Sequence, residues 1–124
     1  MTSFARRFLL CAIGYVLVGM SLGIFMGATE DFVLAPVHAH MNLIGWATMG
    51  LFAYYYNAVP EAGETALAQV HFWVAQVGLV MIIPGLALML TGNTGAAPVL
   101  IIGEMLTVLS MLIFGFTVYR NKAT

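Results

Sequence analysis

Charge is almost absent from this chain. Four Lys and Arg and five Asp and Glu make nine charged residues in 124, or 7 %, against 62 % hydrophobic residues. A soluble domain carries about a quarter charged residues, so this balance excludes a water-soluble fold and indicates an integral membrane protein. Cysteine is nearly missing too. The single Cys11 lies inside the first apolar run, which rules out an intrachain disulfide and any cysteine-based metal motif and leaves it as small hydrophobic filler. The net charge of −1 offers no basic field, and the four cations sit at the two ends, so nucleic acid is not an expected partner. No nucleophile, phosphate loop or complete catalytic constellation is present, and an independent enzyme is not expected.

What the sequence has in quantity is long apolar runs. Phe8 to Met26, Val37 to Tyr56, Val70 to Leu90 and Pro98 to Tyr119 each approach the roughly 20 residues that cross a bilayer as a helix. The expected fold is an all-α membrane protein, one domain over residues 1–124 formed by a four-transmembrane-helix bundle. Arg6 and Arg7 precede the first run, Arg120 and Lys122 follow the last, and no Lys or Arg occurs in a connection. The positive-inside rule then predicts a multi-pass protein of a bacterial inner membrane with both termini cytoplasmic. The first run lacks a small-residue cleavage site and reads as a retained helix, not a signal peptide.

Within these runs the polar groups are few. Histidine or acid at membrane depth is a functional candidate by default, because burying such a group in hydrocarbon is costly. His38 and His40 fall near the outer end of the second run, with Asn42 beside them, and Glu104 in the fourth run falls at a similar depth. Successive helical residues turn by about 100°, so His38 and His40 point about 200° apart in a regular helix and one of them is expected to be structural. A carboxyl at the position of Glu104 is expected to be paired or protonated. His71 opens the third run at the opposite face and reads as an interfacial residue in an aromatic belt with Phe72 and Trp73.

The remaining features read as packing. Gly19, Gly23 and Gly27 form a ridge that lets another helix approach closely, Pro84 and Gly85 are expected to kink the third helix, and Gln76 and Asn93 are placed to hydrogen-bond across helices. Nine methionines without a regular array read as adaptable core filler. The triplet Ala35-Pro36-Val37 recurs as Ala97-Pro98-Val99, each opening a run with proline where a first helical turn tolerates it.

The string His40-Met41-Asn42-Leu43, followed by Trp46, Gly50, the Tyr54 to Tyr56 cluster and Val59-Pro60-Glu61, resembles the second helix of the heme-copper oxidase catalytic subunit, especially its nitric oxide reductase branch. The stretch from His71 to Leu88 is similar to the third helix of that family, and together the matches span about half the chain. The resemblance implies that His40 is an axial ligand of a b-type heme; His38, Asn42 and Glu104, singled out above by their depth, complete the candidate set. The family's other ligands lie in later helices, so four helices alone are expected to act in electron transfer or heme-linked sensing, with a respiratory-chain partner. The family's layout of three four-helix arcs implies that a homotrimer would bring copies of His40 together. Heme propionates seek cations, whereas the outer side offers only Glu30 and Asp31, so neutral donors such as Asn93, Thr94 or backbone amides would have to serve. An alternative is a zinc- or copper-binding oligomer using His40, His38 and Glu104, whose ligand types suit those metals. A further alternative is a cofactor-free assembly subunit.

Overall fold

A computed structural model describes residues 1–121, and every regular element among them is helical. Helix α1 runs from Ser3 to Thr29, begun by Thr2, whose hydroxyl accepts the Ala5 N–H at 3.1 Å, and ended by Glu30 in the left-handed region with φ 55°. Side-chain capping of this kind satisfies an amide that the first helical turn leaves without a partner. The same device starts α5, Ala66–Leu90, where Thr65 accepts from Ala68 N–H at 3.1 Å. These caps lengthen both helices beyond the apolar runs that define them in sequence. A short 3₁₀ turn at Thr94–Ala96 leads into α6, Ala97–Arg120, with Pro98 in its first turn as expected. Ser3–Thr29, Ala66–Leu90 and Thr94–Arg120 are long and apolar enough to cross a membrane. Their outward residues are apolar as well, for example Ile24 at 74 % and Met105 at 67 % exposure, which suits lipid and not water.

The second apolar run takes a different form. It is composite: α2, Ala35–His40, passes into a π-helical segment, Met41–Thr48, and then into α3, Met49–Ala58. The Met49 N–H reaches the Ile44 carbonyl, and the Thr48 hydroxyl donates to the Leu43 carbonyl at 2.9 Å, each five residues back. The cause lies in the spacing of what is buried. Val37, Met41, Gly45, Met49 and Ala53 are all buried and fall every fourth residue. A regular α-helix overshoots by about 40° at each such step, so the row would wind away from its partner, and wider π turns bring it back. A four-residue helix α4, Pro60–Gly63, lies within what reads in sequence as a loop before α5.

Packing differs between the two ends of the molecule. At the terminal end, where α1 begins and α3 finishes, Phe4 and Phe8 of α1, Phe52 and Tyr56 of α3, and Phe72 of α5 form the core, with Phe114 of α6 packed against it. Phe4 meets Tyr56 edge-on at 4.9 Å, Phe8 stacks on Tyr56 at 5.7 Å, and Phe52 lies 4.6 Å from Phe114. Pairs of this kind contribute about 0.5–1.5 kcal/mol each beyond the area they bury.

At the far end, small residues replace rings. A side chain on Gly23 would lie 2.8 Å from the His38 ring, and one on Gly19 would overlap the Asn42 amide. Gly27, the third position of the expected ridge, faces open space. The α5 and α6 backbones approach through Gly78 and Gly103, where a Cβ on Gly103 would sit 2.8 Å from the Gly78 carbonyl. Pro84 lies within α5, which continues as one helix to Leu90, and Gly85 lies against the Leu100 backbone. Arg120 closes α6, and Lys122 lies outside the described residues.

Candidate functional site

The two histidines of α2 have different bonding. His38 Nδ1 lies 2.6 Å from the Gly19 carbonyl of α1, and a carbonyl only accepts, so Nδ1 carries the proton. Its Nε2 is then an acceptor and receives the Asn42 Nδ2 amide at 3.3 Å. Both nitrogens are used, and the ring is wedged against Gly23, so His38 locks α2 to α1. Asn42 belongs to the same lock. Its Nδ2 serves His38, and its Oδ1 is buried against Gly19 with no hydrogen-bond partner among the described residues.

His40 points elsewhere. Its Nδ1 donates to the Pro36 carbonyl one turn back at 2.7 Å, which fixes the tautomer and leaves the Nε2 lone pair available. The side chain is half-buried at the surface of the protomer, beside a cavity of about 140 Å³ formed with Ala39, Leu43 and Ile44. Metal-bound histidines have this arrangement, one nitrogen held by a carbonyl and the other presented outward. The α geometry of Ala35–His40 separates the two rings as the sequence spacing requires, and they do not share a site within one chain.

Glu104 sits on the outward face of α6, exposed among Ile101, Met105 and Val108. It lies seven residues past the Ala97 start of its helix, about 10 Å along the axis, and His40 lies five residues past Ala35, about 8 Å. The two therefore match in distance from their helix starts, yet among the described residues no three His, Cys, Asp or Glu gather as a metal-holding group. A His38, His40 and Glu104 cluster is not assembled within a single chain. Asn93, expected to reach across helices, instead donates to Thr91 Oγ1 in its own turn at 3.3 Å, whereas Gln76 does bridge, accepting from Tyr15 at 2.9 Å and donating to Met49 Sδ at 3.5 Å.

His71 corrects the sequence reading. Expected at the membrane interface, it is fully buried, with Phe52 at 4.5 Å, Phe8 at 5.3 Å and Phe114 stacked at 5.7 Å. Its Nδ1 pairs with the Tyr56 hydroxyl at 2.9 Å, and its Nε2 has no partner among the described residues. Trp73 does face outward, at 59 % exposure, but Phe72 turns into the core, where the Arg7 guanidinium lies 4.2 Å over its ring. The tight connection through α4 brings the end of α3 beside the start of α5, so Tyr56 and His71 meet at one level. That signal was available in the short spacing around Pro60.

A larger cavity, about 390 Å³, opens at the terminal end between Thr2, Phe4, Arg7, Gly63, Glu64 and Gln69. Arg7 there already donates to Gln69 Oε1 at 2.9 Å, and no histidine lines the space. Its size does not make it the better candidate for a heme or metal, because its lining offers one carboxyl, Glu64, and no imidazole or thiol. Comparison with protein-family models, with curated proteins and with solved structures finds no match to this chain.

Proposed function

We propose that this is a four-span b-type heme protein of a bacterial inner membrane, with both termini cytoplasmic, in which His40 supplies one axial imidazole and a second copy supplies the other. The observation that carries the reading is the His40 ring itself, with Nδ1 held by the Pro36 carbonyl and Nε2 open at the protomer surface. The composite run from Ala35 to Ala58 is the fourth span in this proposal, and the sidedness follows from Arg6, Arg7, Arg120 and Lys122.

The fit of a heme to these residues is specific about where the rest of the site must come from. The cavity beside His40, about 140 Å³, is far too small to enclose a porphyrin, so the ring would lie between copies of the chain. Glu104 supports association independently, since an acidic side chain facing hydrocarbon is disfavoured and a protein neighbour would cover it. A heme held there would supply one-electron transfer or a ligand-sensing iron. The chain's own part is to orient His40 through Pro36, to keep α2 fixed through the His38–Asn42 lock, and to present apolar Leu43 and Ile44 beside the iron ligand. A homotrimer is the favoured assembly and a respiratory-chain protein the expected electron partner.

The zinc or copper reading rests on the similar depths of His40 and Glu104, and it too requires ligands from several copies, because zinc takes three or four protein ligands. Optical and elemental analysis of the oligomer purified from heme-replete cells separates the readings. Heme predicts a Soret band with stoichiometric iron. Stoichiometric zinc or copper without that band would replace it with the metal site, and neither would leave a cofactor-free assembly subunit. A mass in detergent corresponding to a monomer or dimer would remove the trimer.

A further inference from the structure

The cavity of about 390 Å³ at the terminal end brings two opposite charges to one space without joining them. Arg7 and Glu64 both line it, yet no ion pair forms between them among the described residues. Arg7 is held by other groups: its guanidinium lies 4.2 Å over the Phe72 ring and 5.6 Å from the Phe4 ring, and Nη1 donates to Gln69 Oε1 at 2.9 Å. A guanidinium has five N–H donors, so most of them remain for a ligand. Gln69 uses its carbonyl oxygen on Arg7, which leaves its amide N–H groups to donate. Ser3 lines the same space with a hydroxyl, and the first turn of α1 leaves the Ser3 and Phe4 amides without an intrahelical partner. This set of donors suits an anion, and the positive end of the α1 dipole adds to it.

Glu64, in the turn between α4 and α5, is the exception. A phosphate alone would satisfy the donors and set a like charge before Glu64, whereas a simple cation would satisfy Glu64 and face Arg7. A zwitterion carrying a phosphate and an ammonium a short distance apart matches both. The volume lies within the range of about 300–1,000 Å³ usual for small-molecule sites.

The level of the cavity in the bundle points to the source of that group. Arg7 directly precedes the apolar run that starts at Phe8, and Gln69 directly precedes the one that starts at Val70. The cavity therefore sits where two spans emerge from hydrocarbon. About one helical turn deeper, on the same helix faces, lie Leu10 and Trp73, which are 57 % and 59 % exposed. They give acyl chains an apolar track below the polar donors, and an outward tryptophan at this level is itself an interfacial anchor. A soluble phosphate compound would gain nothing from that track.

We propose that this cavity binds the headgroup of a phosphoethanolamine lipid, with the phosphate toward Arg7, Gln69 and Ser3 and the ammonium toward Glu64. The site is separate from His40 and does not depend on any cofactor there.

Phosphatidylethanolamine and phosphatidylglycerol with identical acyl chains are the probes, titrated into the full chain in detergent, with bound lipid counted by native mass spectrometry. The parent should retain one phosphatidylethanolamine and prefer it by about two- to fivefold, the scale of a partly exposed ion pair. Glu64→Gln, a change at an exposed turn residue, should remove the preference while phosphatidylglycerol still binds. Arg7→Gln should weaken both lipids, and Arg7→Lys, which keeps a cation beside Phe72, should recover part of the binding. Glu61→Gln, exposed on α4 and outside the cavity lining, should change neither. Glycerophosphoethanolamine, the same headgroup without acyl chains, and inorganic phosphate should not displace the lipid at equal concentration. Equal affinity for the two lipids in the parent, an unaltered preference in Glu64→Gln, the same loss of preference in Glu61→Gln, or displacement by either soluble compound would each overturn the proposal.

Discussion

Two histidines at opposite ends of this bundle have one nitrogen bonded and one not, and they mean different things. His71 Nδ1 is paired with Tyr56, and its free Nε2 is enclosed by Phe8, Phe52 and Phe114, so no ligand can approach without displacing a ring. His40 Nδ1 is paired with a backbone carbonyl, and its free Nε2 lies at the protomer surface. Membrane depth does not distinguish them; what distinguishes them is what surrounds the remaining lone pair. The two ends of the molecule differ in the same sense. Interlocked rings close the terminal end, whereas glycine contacts hold the far end and leave His40 and Glu104 facing outward.

The largest expected effect falls on the aromatic end. Phe8 is fully buried and contacts Phe4, Phe52, Tyr56, His71 and Phe72. Phe8→Ala should lower unfolding stability in detergent by about 3–5 kcal/mol, the usual range for removing a buried ring. A loss below 1 kcal/mol, on the scale of an ordinary surface change, would mean that this cluster is not the core.

The next effect concerns the contact between α1 and the π segment. A Cβ on Gly45 would lie 2.5 Å from the Tyr15 Cβ, whereas one on Gly50 meets nothing within 4 Å. Gly45→Val should destabilise by about 1–3 kcal/mol through overpacking. Gly50→Ala should be neutral or gain about 0.5–1 kcal/mol from helix propensity. Equal effects of the two substitutions in thermal unfolding would remove the close approach on which the π geometry depends.

The smallest stability effect belongs to the open end. His40→Ala removes a half-buried ring whose only bond is to its own helix, so unfolding of the cofactor-free protomer should change by no more than about 0.5 kcal/mol. A loss as large as that of Phe8→Ala would show that His40 is a core residue and would erase the contrast between the ends.

Much of the helical plan could be read from residue order. Thr2 and Thr65 cap helices because their hydroxyls replace missing acceptors, and Pro36 and Pro98 sit where a first turn tolerates them. The separation of His38 from His40 follows from α geometry over a stretch that is α-helical. The π segment was less legible, because apolar residues alone do not mark which face is buried; the four-residue spacing from Val37 to Ala53 becomes informative only once Gly45 is known to lie against Tyr15. His71 was misplaced for a related reason. Its position near a helix start suggests the interface, but its burial is decided by Phe8, Tyr56 and Phe114, which come from three other helices. For the candidate site, sequence supplied the residues, while which imidazole nitrogen is free depends on hydrogen bonds to Gly19 and Pro36 that no spacing rule encodes.

The most direct test is the visible spectrum of the oligomer purified from heme-replete cells, recorded for the parent, His40→Ala and His71→Phe. A Soret band in the parent that is lost in His40→Ala and kept in His71→Phe is the result this account predicts. No Soret band in the parent, or a band that survives His40→Ala unchanged, would contradict it.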